Sequence, residues 1–188
     1  MEQRTVELKS SWFGHLRGVE QADIRPQVSG TLIRQVYWDG SICDKGELLF
    51  EIDPATYQAA VDREAANLAT ARAVKLQAEA SLNRVQKDLD RYDKLIRTGA
   101  ISVKNLTDAQ QNLKEMQAAL EQAEAGIKQA EASLENARIN LDRTKVRAPF
   151  RGLASKATAS VGELISASGS PLTTCLLYTS PSPRDAHE

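Results

Sequence analysis

Large apolar residues recur at every seventh position between Lys104 and Thr144. They are Leu106, Leu113, Leu120, Ile127, Leu134 and Leu141. Three residues after each of the first five, the chain places a mostly small set, namely Ala109, Met116, Ala123, Ala130 and Ala137. A period of seven with two core positions predicts a helix that packs along one seam, and pairing large with small side chains lets two helices approach closely.

A partner helix is predicted just before this segment, because the same spacing occurs there. Its seam residues are Tyr57, Val61, Leu68, Ala71, Ala78, Leu82, Val85, Leu89, Tyr92 and Ile96, with Glu64 and Lys75 as polar interruptions. Asp53 is a suitable N-cap ahead of Pro54, since the first turn of a helix tolerates proline. Gly99 is expected to end the first helix, and Ser102 to cap the second. Arms of about 40 residues predict a hairpin roughly 60 Å long.

Short β-rich runs broken by glycine flank the hairpin, one in residues 21–53 and one in residues 145–174. Neither run has enough apolar residues for a core of its own. We therefore expect both to form one small β domain into which the hairpin is inserted. The glycines of these runs suit tight turns, because glycine accepts a positive φ. Four of them are interpreted as turn residues rather than ligand sites: Gly30, Gly40, Gly46 and Gly152.

Composition and motif spacing argue against catalysis and against nucleic acid as a partner. The 188 residues carry a net charge of -1, so there is no basic surplus. His15 and His187 lie far apart in sequence, and no cysteine–histidine cluster has metal-ligand spacing. No glycine-rich phosphate loop occurs. The sequence predicts a protein that is not an enzyme and holds no cofactor or metal. No apolar run of about eighteen residues predicts a membrane-spanning helix.

The segments on either side of the hairpin resemble the periplasmic adaptor (membrane-fusion protein) family of tripartite efflux systems. The matching motifs are Arg25-Pro26, Val28-Ser29-Gly30 and Phe50-Glu51-Ile52-Asp53-Pro54 before the hairpin, and Asn140-Leu141, Thr144-Lys145-Val146, Ala148-Pro149-Phe150 and Gly152 after it. Adaptors attached to resistance-nodulation-division pumps are the most similar group. The resemblance covers about residues 5–174. It implies an α+β fold, in which a long antiparallel α-helical coiled-coil hairpin is inserted into a lipoyl-like β domain of the barrel-sandwich hybrid type.

The resemblance also implies how the chain is divided. Residues 1–20 are expected to be an entry strand of an incomplete membrane-proximal domain, and residues 21–53 and 145–174 the two lipoyl-like halves. Residues 54–144 are expected to be the hairpin, with its tip near 97–102. Residues 175–188 resemble the translation of a sequencing-library adapter, so they are interpreted as an artefact outside the fold. Cys43 is then a half-buried strand residue without a redox role, and no disulfide to Cys175 is expected.

In channel-docking members of the family, an Arg, a Leu and a Ser at fixed spacing mark the hairpin tip, and Arg91, Leu95 and Ser102 match that spacing. The match implies contact with the helical end of a TolC-like outer-membrane channel. The resemblance further implies an inner-membrane efflux transporter as a partner, and a homo-oligomer that is hexameric or a trimer of dimers. It implies a periplasmic, inner-membrane-associated location in a Gram-negative bacterium, with anchoring through a segment upstream of this chain.

Other interpretations of the same residues remain open at this point. Ser102 alone is consistent with a simple N-cap, Leu95 with packing inside the hairpin, and Arg91 with a solvated charge. The β halves are also compatible with a lipoyl or biotinyl carrier domain. A carrier needs a modifiable lysine on the turn between its halves, and here Asp53-Pro54 and the hairpin replace that turn. The heptads alone are compatible with a structural coiled-coil protein.

Overall fold

The computed structural model describes residues 21–97 and 102–177, without the side chain of Arg97. Its ten elements are four strands, two long helices and four further strands. The first strands are β1 (Gln21–Ile24), β2 (Gly30–Gln35), β3 (Ile42–Cys43) and β4 (Leu48–Ile52). The helices are α1 (Ala55–Arg97) and α2 (Val103–Asp142). The last strands are β5 (Lys145–Arg147), β6 (Gly152–Ala154), β7 (Leu164–Ile165) and β8 (Thr173–Leu176).

The strands form two four-stranded sheets, and each sheet contains strands from both halves of the chain. The strand orders are β1-β8-β6-β3 and β5-β4-β2-β7. Pairs across the halves include β1 with β8, β2 with β7, β3 with β6 and β4 with β5, all antiparallel. The halves therefore form one β module, and the predicted insertion of a helical hairpin into a single β domain is confirmed.

One core fills the space between the two sheets and draws on both halves. Its fully buried side chains include Leu32, Phe50 and Leu172. The Tyr37 ring packs edge-on against Phe50, with ring centroids 5.3 Å apart, and its hydroxyl donates to the carbonyl of Ser155 at 3.0 Å. Burial of the ring raises the pKa of Tyr37. The hydrogen bond joins residues 118 positions apart in the sequence, so the core holds the two halves together.

The base of the hairpin is fixed to the module by hydrogen bonds at both helices. Asp53 caps α1 as predicted, because its Oδ1 accepts from the amide of Ala55 at 3.0 Å. The Tyr57 hydroxyl donates to the carbonyl of Ser29 at 2.6 Å. At the other helix, the amide of Ile52 donates to the carbonyl of Thr144 at 2.8 Å. The helices therefore leave the module from a defined base.

The two helices run antiparallel. Arg72 of α1 pairs with Glu131 of α2 at 3.5 Å, and Lys75 of α1 pairs with Glu124 at 3.1 Å, so α2 residue numbers fall as α1 numbers rise. With 43 and 40 residues, the helices are about 65 and 60 Å long at 1.5 Å per residue. Neither described helix is apolar over a stretch long enough to cross a membrane. The expected end of the first helix at Gly99 lies outside the described residues.

Two of the four glycines expected in turns do occupy them. Gly40 and Gly46 have φ of 80° and 84°, which the turns between strands require. The turn interpretation is wrong for Gly30 and Gly152, which lie at the starts of β2 and β6. A Cβ on Gly30 would lie 2.7 Å from Cγ2 of Ile52, and one on Gly152 would overlap the carbonyl oxygen of Leu176. At both positions glycine is required because another strand passes too closely for a side chain.

The boundary expected at Cys175 is also wrong. Strand β8 runs through Leu176, and Cys175 pairs with Ala22 on one side and Ala154 on the other. Its side chain is fully buried because it continues the inward-facing alternation that begins at Thr173. Cys43 is likewise buried rather than half-buried. Residues 178–188 and 1–20 lie outside the described residues.

Candidate docking site

The candidate docking site is the end of the hairpin farthest from the module. Helix α1 reaches Arg97 and α2 begins at Val103, so the chain reverses direction between these residues. Arg91 and Leu95 are four residues apart on α1, which places them on one face of that helix, within its last two turns. Ser102 directly precedes α2 on the returning arm. The structure thus places all three residues at one end of the rod.

Arg91 presents an exposed guanidinium that is already engaged on its own helix. Its Nη2 donates to Oδ1 of Asp88 at 2.7 Å, and its Cζ lies 5.7 Å from the centre of the Tyr92 ring. The Arg91 side chain is 63% exposed. An exposed ion pair of this kind contributes about 0–1 kcal/mol, so an incoming acceptor can replace Asp88 at little cost. The planar fork of arginine suits carbonyl or carboxylate acceptors.

Ser102 occupies the N-cap position of α2 but does not cap it with its side chain. Its φ and ψ are -80° and 154°, and its hydroxyl makes no capping hydrogen bond. The carbonyl of Ser102 instead accepts from the amide of Asn105 at 3.1 Å. The prediction that the Ser102 side chain caps α2 is therefore wrong, although Ser102 does occupy the N-cap position. The exposed hydroxyl is left available to a partner. Leu95, near the end of α1, is half-buried.

The hairpin-packing residues lie on the side of α2 that faces α1. Leu134 is 6% exposed, and the other large seam residues, Leu106, Leu113, Leu120, Ile127 and Leu141, are half-buried. Among the small seam residues Ala123 is buried as well. On α1, Leu68 and Val85 are the most deeply buried of the seam. A pair of narrow helices leaves most seam positions partly open to water, which explains the intermediate burial.

Polar residues bridge the seam at a position that sequence reasoning treated as an interruption. The Lys75 ammonium lies 3.1 Å from Glu124 across the hairpin and 3.5 Å from Glu79 on its own helix. Hydrogen bonding to Glu124 is the main cause of the raised pKa of Lys75. Sequence reasoning missed this cross-helix pairing. The signal was the column of charges beside the α2 seam, whose partners become visible only once the register of the hairpin is known.

The described residues offer no centre for metal chemistry, since they hold no group of three or more metal-binding side chains close together. Cys43 and Cys175 are free thiols within the core. Burial raises the pKa of both thiols, which disfavours the reactive thiolate. The connection between β4 and β5, where a carrier domain would present its lysine, is occupied by Asp53, Pro54 and the two helices.

Comparisons with known proteins agree with this architecture. Residues 20–175 match a family model described as the barrel-sandwich hybrid domain of RND membrane fusion proteins. The chain is 35% identical to the multidrug export protein AcrE of Escherichia coli over 164 residues, which is 85% of this chain and 38% of AcrE. It is 40% identical to the multidrug efflux pump subunit AcrA of Escherichia coli over 94 residues, which is 48% of this chain and 22% of AcrA.

A solved structure gives the same result for the fold. The crystal structure of MacA from Actinobacillus actinomycetemcomitans superposes with a TM-score of 0.79 at 26% identity, covering 85% of this chain and 49% of MacA. A β module built from both ends of the chain and interrupted by a helical hairpin defines a membrane-fusion protein. This chain belongs to the RND membrane fusion protein family. It spans only about a fifth to two fifths of the length of the curated relatives named above.

Proposed function

We propose that this chain is the central part of a periplasmic adaptor, which links an inner-membrane efflux transporter to a TolC-like outer-membrane channel. The observation that carries the proposal is the insertion of the α1–α2 hairpin between β4 and β5 of one two-sheet module. A rigid rod on a fixed base is suited to span a distance and unsuited to turn over a substrate. The family match and the efflux roles in the names of AcrA and AcrE support the proposal.

In this proposal the far end of the hairpin docks on the channel through Arg91, Leu95 and Ser102. Arg91 exchanges Asp88 for an acceptor on the channel, Leu95 supplies an apolar contact, and Ser102 contributes a hydroxyl that its own helix does not use. The seam residues keep the two arms parallel to one axis, so that these three groups stay together. The protein acts in the periplasm at the inner membrane of a Gram-negative bacterium.

The same proposal assigns an architectural mechanism. Six copies, arranged as a hexamer or as a trimer of dimers, stand side by side. Their hairpins form a tube, and their β modules form a ring below it. The assembly seals the path of exported compounds from the periplasm, while recognition of those compounds belongs to the transporter. The division of the chain into two lipoyl-like halves, with the hairpin at 54–144 between them and β8 closing the second half at Leu176, is part of this proposal. No described feature favours the carrier alternative, since helices occupy the β4–β5 connection.

A chimera tests the adaptor function directly. Residues 21–175 would replace the matching segment of AcrE, and the chimera would be expressed in Escherichia coli cells that lack both AcrA and AcrE. We expect restored drug resistance. A chimera that is stably produced at the inner membrane and leaves the cells fully sensitive would refute the adaptor function.

Single substitutions in that chimera test the docking residues. Arg91→Asp should abolish resistance without loss of protein, because it removes the forked donor and adds a second carboxylate beside Asp88. Arg84→Asp is the matched control, since Arg84 is an exposed arginine on α1 two turns nearer the module. Equal resistance of the two variants would contradict the docking role of Arg91.

A further inference from the structure

A groove opens beside the base of the hairpin. It has a volume of about 800 Å³ and is lined by residues of β1 and β5, by the segments that follow these strands, and by the last two turns of α2. Strands β1 and β5 are edges of different sheets, so the groove lies where the module is open between its layers. We call it the β1–β5 groove. Sites for small molecules have volumes of about 300–1,000 Å³, so its size suits such a ligand.

Part of the lining of the β1–β5 groove is apolar. Ile24 of β1 and Val146 of β5 belong to the core of the module, and both also line the groove. Ile139 of α2 adds an apolar side chain that is 41% exposed. Apolar surface of this kind favours a ligand with an apolar body, because burying that body removes it from water. A bare inorganic ion gains nothing from these three side chains.

The polar part of the lining is basic. It contains five basic and three acidic residues, a net charge of +2, although the whole chain carries -1. Two of the arginines have nearby carboxylates, Arg25 at 3.8 Å from Asp23 and Arg138 at 4.0 Å from Glu135. The other charged residues of the lining form no ion pair within residues 21–97 and 102–177: Asp142, Arg143, Lys145 and Arg147.

The three cations without ion pairs keep hydrogen-bond donors for a ligand. Arg143 donates from Nη1 to Oδ1 of Asn140 at 3.4 Å, and Arg147 donates from Nη1 to the carbonyl of Gly46 at 3.0 Å. Both acceptors are neutral, so neither compensates a guanidinium charge. Lys145, on β5 between these arginines, is exposed. A cleft lined by charges of one sign concentrates ions of the opposite sign, so this part of the groove attracts anions.

We propose that the β1–β5 groove binds a small anionic amphiphile, a compound that carries a sulfonate, carboxylate or phosphate group on an apolar body. Arg143, Lys145 and Arg147 bind the anionic group, for which the arginine fork is well shaped, and the apolar lining holds the body. Because the lining comes from both the module and α2, the ligand contacts the base of the hairpin and the strands at once. The inference does not depend on the adaptor function.

The geometry favours a small ligand over an acidic polypeptide. A peptide that added to the sheets here would pair with β1 or β5, which have only four and three residues. Recognition by strand addition draws its affinity from main-chain hydrogen bonds, and such short edges offer few of them. The concave shape and the mixed apolar and basic lining suit a compact amphiphile instead.

Two fluorescent dyes test the proposal on the full chain. Anilinonaphthalene sulfonate is an anionic amphiphile, and phenylnaphthylamine is the same molecule without the sulfonate. Fluorescence titration should give one site per chain for the sulfonate dye, with an affinity about tenfold or more above that for the neutral dye, since charged hydrogen bonds are added. Equal affinities for the two dyes would overturn the proposal. Inorganic sulfate at the concentration of the dye should displace none of it, and efficient displacement would mean that charge alone is recognised.

Substitutions in the groove test where the sulfonate binds. The double variant Arg143→Gln with Lys145→Gln should weaken binding of the sulfonate dye about tenfold and leave binding of the neutral dye unchanged. Arg151→Gln with Lys156→Gln is the matched control, because it removes the same two charges from exposed positions of the module outside the groove. The same affinity of both double variants for the sulfonate dye would refute the assigned cations. Circular dichroism checks that both variants are folded.

A substitution of Ile139 tests the apolar part of the site. Ile139→Gln should weaken binding of both dyes several-fold, whereas Val74→Gln, at a 51% exposed position of α1 outside the groove, should weaken neither. Equal effects of the two substitutions would exclude Ile139 from the site.

Hydrogen exchange locates the bound dye without any substitution. The amide of Thr144, which donates to Leu141 at 3.2 Å, lies beside the groove, and the amide of Gly40, which donates to Ala154 at 2.8 Å, lies next to the 84% exposed Trp38. Saturating sulfonate dye should slow exchange at Thr144 and leave Gly40 unchanged. Slower exchange at Gly40 alone would place the dye on the exposed apolar residues around Trp38 and overturn the proposal.

Discussion

At the scale of single residues, the β module needs glycine for two different reasons. Gly40 and Gly46 have a positive φ, which the turns they occupy require. Gly30 and Gly152 lie in strands, where a Cβ would meet Cγ2 of Ile52 or the carbonyl oxygen of Leu176. Which atoms lie opposite these two glycines depends on strand register, and register is a property of the whole module.

Gly152→Ala should destabilise the β module. The added Cβ would overlap the carbonyl oxygen of Leu176, which is held by strand pairing, so we expect a loss of roughly 1–3 kcal/mol in the free energy of unfolding. Gly126→Ala is the matched control, because a Cβ there meets no atom within 4 Å and lies inside α2. It should gain about 1 kcal/mol from helix propensity. Urea unfolding followed by circular dichroism measures both, and shifts of the same sign would contradict the explanation.

At the scale of the elements, the helices were the part of the fold most accessible from sequence. A seven-residue period specifies a seam without any knowledge of the rest of the chain, and the observed α1 and α2 agree with it over most of their lengths. The strands were accessible only as β-rich runs. With two to six residues each, they are too short for an alternation pattern to define their ends or their partners. The strand order of the two sheets was therefore not predicted.

Lys75 should fix the register of the hairpin by pairing with both Glu79 and Glu124. Lys75→Glu would put three carboxylates together and should lower the melting temperature of the helices more than Lys87→Glu, which changes an exposed lysine of the same helix. Thermal unfolding followed by circular dichroism at 222 nm measures this difference in melting temperature. The buffer should contain ~0.1 M salt, because interactions between exposed charges are then partly screened. A larger loss for Lys87→Glu would exclude a register role for Lys75.

The pH dependence of the stability that the Lys75–Glu124 pair contributes follows from the direction of the pKa shift of Lys75. Hydrogen bonding to Glu124 raises the folded-state pKa of Lys75 above its ordinary value of about 10.4. The stabilisation is therefore fully present below that ordinary value and is lost as the pH rises through the folded-state pKa. The difference in melting temperature between the unsubstituted chain and Lys75→Met should stay constant near neutral pH and shrink only above about pH 10.4.

At the scale of the whole molecule, the physical reason for a single module was visible in the sequence, because neither half contains enough apolar residues for a core. How the halves interleave was not visible. Every strand of residues 21–53 pairs with at least one strand from beyond the hairpin. Such pairing closes a loop of about ninety residues, and the helices lower the cost by holding Ile52 and Thr144 within hydrogen-bond distance.

Interleaved halves must unfold together, which Leu32→Ala and Leu172→Ala test. The two leucines are fully buried in different halves, so each substitution should cost about 2–5 kcal/mol. Each should also speed hydrogen exchange in the other half. The reporters are the amide of Leu172, which donates to Ile24, and the amide of Leu32, which donates to Glu163. Ile33→Ala is the control, because Ile33 is exposed, and it should change the free energy of unfolding by about 0.5 kcal/mol or less. Faster exchange confined to the substituted half would mean that the halves fold separately, and the rod would then lack the rigid base that a spacer needs.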